Sequence, residues 1–216
     1  MPRIASRLSG RGHRPWPAIA LMLLLGACAE HHWADDAAVN AVRYREPGPA
    51  EVTLFTAVRT RGGEGAHSGL MVNANERLLF DPAGNFAHPA VPERGDVLYG
   101  ITPRVEEMYI DFHARPTYYI KAQTVEVSPE VAQMIADRAV AHGASWKALC
   151  STSVSQVLDG VPGFEGVDSV FPGRLADDFA RLPGVVTTYY YDDDESGNPL
   201  RVQFVPDAQP VMKRRP

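Results

Sequence analysis

The sequence of 216 residues is poor in cysteine, in basic charge and in long apolar runs. Two cysteines cannot build the bridged framework of a small disulfide-rich domain, so a hydrophobic core must hold the fold together. The 21 basic residues are outnumbered by 26 acidic ones, and a formal charge of -5 argues against nucleic acid as a partner. The apolar fraction of 45% is that of a globular protein, and the length suits one domain with terminal extensions.

The N-terminus carries the three parts of a bacterial export signal. Four arginines precede the first acidic residue, Glu30, and an apolar run over residues 18–25 follows them. That run is far shorter than the about 20 residues that a membrane-spanning helix needs. Small residues end it, so we predict that residues 1–27 are a signal peptide. A buried core helix is the alternative, and the four unopposed arginines disfavour it.

The end of this signal reads Leu25-Gly26-Ala27-Cys28. This pattern resembles the lipobox of bacterial lipoproteins, in which the chain is cut before a cysteine that then carries a diacylglyceryl thioether and an N-acyl chain such as palmitate. The resemblance implies that Cys28 is lipidated and that a lipid bilayer is a partner. It also implies a position at the outer membrane of a Gram-negative bacterium, on the periplasmic face, because Ala29 rather than Asp follows the cysteine.

The segments around the predicted domain, residues 51–205, show little periodicity. Residues 28–50 are polar and predict a tether, and residues 206–216 predict a disordered tail. Adjacent His31 and His32 suggest a metal site, but adjacent residues on an irregular segment rarely form one. We therefore expect neither a metal nor a cofactor.

Residues 51–205 predict an α+β domain with a small antiparallel sheet packed against helices. Alternating apolar residues predict strands, and turn signals separate them. Capping residues before apolar stripes predict helices. The predicted strands are 51–58, 67–73, 76–81, 117–127, 185–191 and 200–204. The predicted helices are 102–112, 128–142, 150–158 and a short one that follows Phe171-Pro172-Gly173 and runs through Leu175 and Phe179.

Cys150 is the one cysteine left once Cys28 is assigned to lipid. A lone thiol in an exported protein is buried and inert, bonded to another chain, or reactive. Cys150 begins a predicted helix, and the partial positive charge of a helix N-terminus favours the thiolate. Ser151 and Thr152 lie in the first turn, where hydroxyls are expected to satisfy free backbone amides of the helix.

His67 and Asp81 complete a possible catalytic set with Cys150. His67 lies at the start of one predicted strand, and Asp81 ends the antiparallel partner strand fourteen positions later. A hairpin of this length places the two residues next to each other. Cys150 docked against the same sheet edge would supply a nucleophile, His67 a base and Asp81 the group that orients the base.

The segments His67-Ser68-Gly69-Leu70-Met71-Val72 and Leu78-Leu79-Phe80-Asp81 resemble the histidine-bearing hairpin of papain-fold NlpC-like hydrolases. In that family the cysteine helix precedes the hairpin, whereas here Cys150-Ser151-Thr152-Ser153 follows it. The chain is thus similar to the circularly permuted branch, which includes lecithin retinol acyltransferase-like and YiiX-like proteins. The resemblance implies a permuted papain-like fold with Cys150 and His67 as catalytic residues. Asp81 takes a third position at which many members carry histidine.

These observations lead to two expectations about function. The first is a membrane-anchored thiol hydrolase or acyltransferase that acts on an amide or ester bond of a peptidoglycan peptide or a lipid, with the backbone N–H of Cys150 as an oxyanion donor. The second is a non-catalytic envelope lipoprotein that binds a partner or the cell wall. In the second case Cys150 is a packed core residue, His67 ends a strand and Asp81 starts a turn. Three further histidines are expected to be structural or exposed: His88, His113 and His142.

Overall fold

The computed structural model describes residues 33–192 and 201–204. The chain divides into two compact units, Met1–His31 and His32–Pro216, and the described residues all belong to the second. The predicted signal peptide, the predicted lipidation site Cys28 and the predicted tail lie outside the described residues. Within the described ranges, no helix has the length and apolar character needed to cross a membrane.

An antiparallel sheet forms the centre of the second unit, in the strand order β4-β5-β3-β2-β1-β6-β7-β8. The α+β class with an antiparallel sheet against helices is therefore confirmed. The strands are β1 (Glu51–Arg59), β2 (Gly65–Asn73), β3 (Arg77–Phe80), β4 (Glu93–Arg94), β5 (Val97–Leu98), β6 (Tyr118–Glu126), β7 (Val186–Tyr191) and β8 (Arg201–Phe204). The helices are α1 (Asp36–Ala41), α2 (Pro103–His113), α3 (Pro129–His142), α4 (Cys150–Leu158) and α5 (Pro172–Phe179).

Helices cover both faces of the sheet because successive strand side chains point to opposite sides. Leu70 and Val72 of β2 join one buried cluster with residues of α3, α4 and α5. Met71 of the same strand joins a second cluster with Tyr109 and Ile110 of α2. Strand β2 thus has one core on each side, and its two sets of side chains meet different helices.

Two helices begin as their sequences predict. The Thr102 hydroxyl accepts from the Val105 backbone N–H at 3.3 Å, and the Ser128 hydroxyl accepts from the Val131 N–H at 3.3 Å. Each serves as an N-cap and is followed by proline at the first helical position, where a missing N–H costs nothing. These caps fix the starts of α2 and α3.

Residues 33–50, the described part of the predicted tether, contact the domain along their length, and we call them the N-terminal strap. Arg94 donates to the Ala34 carbonyl at 2.8 Å. The side-chain amide of Asn73 donates to the Pro49 carbonyl at 3.0 Å. The buried Arg77 guanidinium lies 3.4 Å from the Glu46 carboxylate. The polar composition of this segment thus serves specific hydrogen bonds to the sheet.

Candidate active site

The β2–β3 hairpin brings His67 and Asp81 together. Leu70 pairs with Phe80 in the antiparallel register, so Asp81 lies opposite Gly69 as the chain leaves β3. Alternation then places His67, Gly69 and Asp81 on the α2 side of the sheet. His67 Nε2 lies 2.6 Å from Asp81 Oδ1, a short hydrogen bond between a ring nitrogen and a carboxylate.

An irregularity in β2 lies beside His67. The register with β1 runs from Asn73 to His67, which pairs with Ala57, and then jumps so that Val58 pairs with Gly65. Ala66 is therefore the extra residue of a β-bulge. Bulges increase local twist and redirect side chains, and they are frequent beside active sites. Here the bulge sets the position of His67 at the end of the strand pairing.

The Asp81 carboxylate is buried and held by more than His67. The Tyr109 hydroxyl donates to Asp81 Oδ1 at 2.8 Å. A Cβ at Gly69 would lie 2.4 Å from that hydroxyl, and a Cβ at Gly84 would lie 1.8 Å from Asp81 Oδ2. Both distances are too short for any side chain, so two glycines leave the space that the carboxylate and the tyrosine occupy.

Cys150 is the first residue of α4, and its sulfur lies 4.0 Å from the Ser151 hydroxyl. Hydrogen-bonding interactions with the His67 imidazole and with the backbone N–H of Ser68 lower the pKa of the thiol. The Ser68 and Ser151 hydroxyls lie 3.1 Å apart and tie the start of α4 to β2. The expectation that the Ser151 hydroxyl satisfies free amides of the helix is wrong, because no side chain caps α4 and Ser151 pairs with Ser68 instead.

The electrostatics of the site favour a thiolate beside an imidazolium. Burial alone would lower the pKa of His67, but hydrogen bonds to Asp81 and Cys150 and their negative charges raise it to about 10. Burial alone would raise the pKa of Cys150, but its interactions with His67 and with the Ser68 N–H lower it below its usual range. Both shifts favour the charged pair, with the proton on the imidazole rather than on the sulfur.

His113 belongs to this site, although it was expected to be structural or exposed. Its ring stacks on that of His67, with centroids 5.4 Å apart and planes at 3°. Its Nδ1 lies 2.9 Å from the Tyr109 carbonyl oxygen, one turn earlier in α2. Burial lowers the pKa of His113, which favours the neutral form of this second ring. The i, i+4 spacing from Tyr109 was the signal that both residues share a helix face.

No family model matches the chain, and comparisons with curated proteins and with solved structures found no match. The function must therefore be inferred from the site itself. Its components are a thiol, an imidazole that lowers the pKa of that thiol, and a buried carboxylate that holds the imidazole. This is the arrangement that nucleophilic catalysis by cysteine requires.

Proposed function

We propose that this chain is a cysteine hydrolase or acyltransferase that acts on an amide or ester bond. The observation that carries the proposal is the placement of His67 between Asp81, at 2.6 Å, and Cys150, with which it exchanges a mutual shift of pKa. His67 uses Nε2 for the carboxylate at 2.6 Å, which leaves Nδ1 as the nitrogen that serves the thiol. The lowered pKa of Cys150 supports the same role, because the thiolate is the nucleophilic form.

The reaction follows from these groups. The Cys150 thiolate attacks the carbonyl carbon, and the carbonyl oxygen takes up negative charge close to the free backbone amides of the first turn of α4. The carbon–nitrogen or carbon–oxygen bond then breaks, and His67 gives its proton to the leaving group. Water, or another acceptor deprotonated by His67, attacks the thioester and releases the acyl group from Cys150. Asp81 stabilises the imidazolium throughout.

The chain order supports a permuted papain-like fold as part of the proposal. Histidine and aspartate come first, on a β-hairpin, and the cysteine follows at the start of a helix that packs on β2. This is the order of the permuted NlpC-like branch that the sequence resembles. Lipidation of Cys28 would hold the domain at the periplasmic face of the outer membrane, where peptidoglycan peptides and lipids are within reach.

A non-catalytic envelope lipoprotein is the second candidate. The observation that favours it is the low exposure of Cys150, whose residue surface is only 7% accessible. Free cysteine often serves as a small core residue. The partner hydroxyls and imidazole around the sulfur argue for the enzyme, since a core residue has no need of a charged neighbour.

The rate of alkylation of Cys150 separates the two functions. We would treat the full-length chain with iodoacetamide across pH and follow the Cys150 peptide by mass spectrometry, which resolves it from Cys28. The enzyme predicts rapid labelling well below the ordinary thiol pKa of about 8.5, and loss of that labelling in His67→Ala. His88→Ala is the matched control, because His88 is exposed and lies outside the site. Labelling of Cys150 only after denaturation would establish the non-catalytic protein.

A further inference from the structure

Three side chains of the site also form a set of possible metal ligands. One ligand atom from each of His67, Asp81 and His113 lies within 4.8 Å of the other two. They come from β2, from the residue after β3 and from the end of α2, so three separate elements converge on one point. Sequence spacing does not predict this set, because no pair of these residues has a spacing typical of metal ligands.

The surroundings of these ligands resemble the outer shell of a metal site. Ligating histidines usually donate their second ring N–H to a carbonyl or carboxylate. The Nδ1 of His113 does so to the Tyr109 carbonyl at 2.9 Å, which leaves Nε2 with its lone pair. The Tyr109 hydroxyl holds the Asp81 carboxylate in the same way, at 2.8 Å. One residue of α2 therefore orients two of the three ligands.

The chemistry of the donors selects the class of metal. Two imidazoles and one carboxylate suit zinc, which accepts three protein ligands and leaves a fourth position open. Magnesium and calcium prefer oxygen ligands and fit poorly. Ligand atoms at about 2.0–2.1 Å from a tetrahedral zinc lie about 3.4 Å from one another. His67 Nε2 and Asp81 Oδ1, now 2.6 Å apart, would need to separate by somewhat less than 1 Å.

We propose that His67, Asp81 and His113 bind one zinc ion. Zinc bonds to His67 Nε2, the proton that Nε2 shared with Asp81 leaves to solvent, and no atom changes oxidation state. The site stands on the geometry of its three ligands and does not depend on the proposed function.

Zinc binding is tested directly in the full-length chain. A His31→Ala/His32→Ala background removes the adjacent pair near the N-terminus, and competition with a chromogenic chelator measures stoichiometry and affinity. We expect one zinc ion per chain and an affinity at least tenfold lower in His113→Ala, with His113→Gln as a second variant and circular dichroism as the check on folding. The site would be overturned if the parent bound no zinc, or if both His113 variants bound zinc with the affinity of the parent.

Discussion

Gly69→Ala should disrupt the support of the Asp81 carboxylate without touching the cysteine or the histidine. The new Cβ would lie 2.4 Å from the Tyr109 hydroxyl and 3.5 Å from Asp81 Oδ1. A carbon and an oxygen in contact need about 3.3 Å, so one of them must move by about 1 Å. Gly69 lies inside β2 and pairs with Phe55 of β1, so the strand resists displacement and the Tyr109 hydroxyl moves away from the carboxylate.

The expected change in the free energy of unfolding combines two destabilising contributions and one stabilising contribution. Forcing an extra methyl into a packed core costs about 1–3 kcal/mol. Loss of a hydrogen bond to a charged group costs about 1.5–3 kcal/mol. Alanine returns about 0.5–1 kcal/mol because it loses less backbone freedom than glycine. Since the displacement of the hydroxyl relieves part of the clash, we expect the free energy of unfolding to fall by about 2–4 kcal/mol, measured by urea denaturation.

A double-mutant cycle isolates the cause. Tyr109→Phe removes the hydroxyl that the new methyl group at position 69 would meet, and the next atom of the ring lies 3.4 Å away, an ordinary contact. Gly69→Ala should therefore cost at least about 1 kcal/mol less in the Tyr109→Phe background. Gly173→Ala is the matched control, because its Cβ approaches nothing closer than 3.4 Å. Additive effects, or equal costs at Gly69 and Gly173, would refute the reasoning.

Three further predictions concern the charges of the site and of the strap. Asp81→Asn should slow alkylation of Cys150 at pH 6.5 by at least about tenfold, since an ordinary thiol is only about 1% ionised there; an unchanged rate contradicts the role of Asp81. The pKa of His67 is raised from 6.5 to about 10, so its contribution to stability is complete below pH 6.5 and is lost as the pH rises towards 10. The difference in unfolding free energy between the parent and His67→Gln, from urea denaturation, should shrink over that range, and a constant difference contradicts the assignment. Arg77→Ala leaves the half-buried Glu106 carboxylate, now 2.6 Å from the guanidinium, without its cation. We expect the free energy of unfolding to fall by about 2–4 kcal/mol and limited proteolysis near the N-terminal strap to become faster. If neither quantity changes, this ion pair is dispensable.

The sequence predicts most of the fold because its signals are local. Alternation located the long strands, and the caps at Thr102 and Ser128 located two helix starts. Strands β4 and β5 were missed because two residues each are too few to show a period. The contacts of the strap were missed for another reason. Its partners, such as Arg94 and Asn73, are distant in the chain, and no local pattern encodes which polar group a side chain will meet.

The candidate site, like the fold, was predictable where its signals are local. The pairing of His67 with Asp81 follows from hairpin length and strand alternation, both of which are local. Cys150 was found by elimination, as the thiol left over in a chain that the sequence predicts to be exported. Tyr109 and His113 were not found, because their place beside Asp81 depends on how α2 packs across the sheet. Gly69 was not identified either. Its lack of a side chain matters only because the facing helix α2 brings the Tyr109 hydroxyl close to it.

Burial and pairing compete at every charged group of this site, and their balance explains why all three residues are needed. Burial is the largest influence on the pKa of both His67 and Cys150, and in each case it disfavours the charged form. Both pKa values nevertheless shift towards the charged form, because the thiolate, the imidazolium and the Asp81 carboxylate stabilise one another. Removal of the Asp81 carboxylate or of the His67 charge weakens this opposition to burial and favours return of the proton to the sulfur. A buried thiol in such a site is reactive only together with its imidazole and carboxylate neighbours. A thiol that fills a hydrophobic core has no such neighbours.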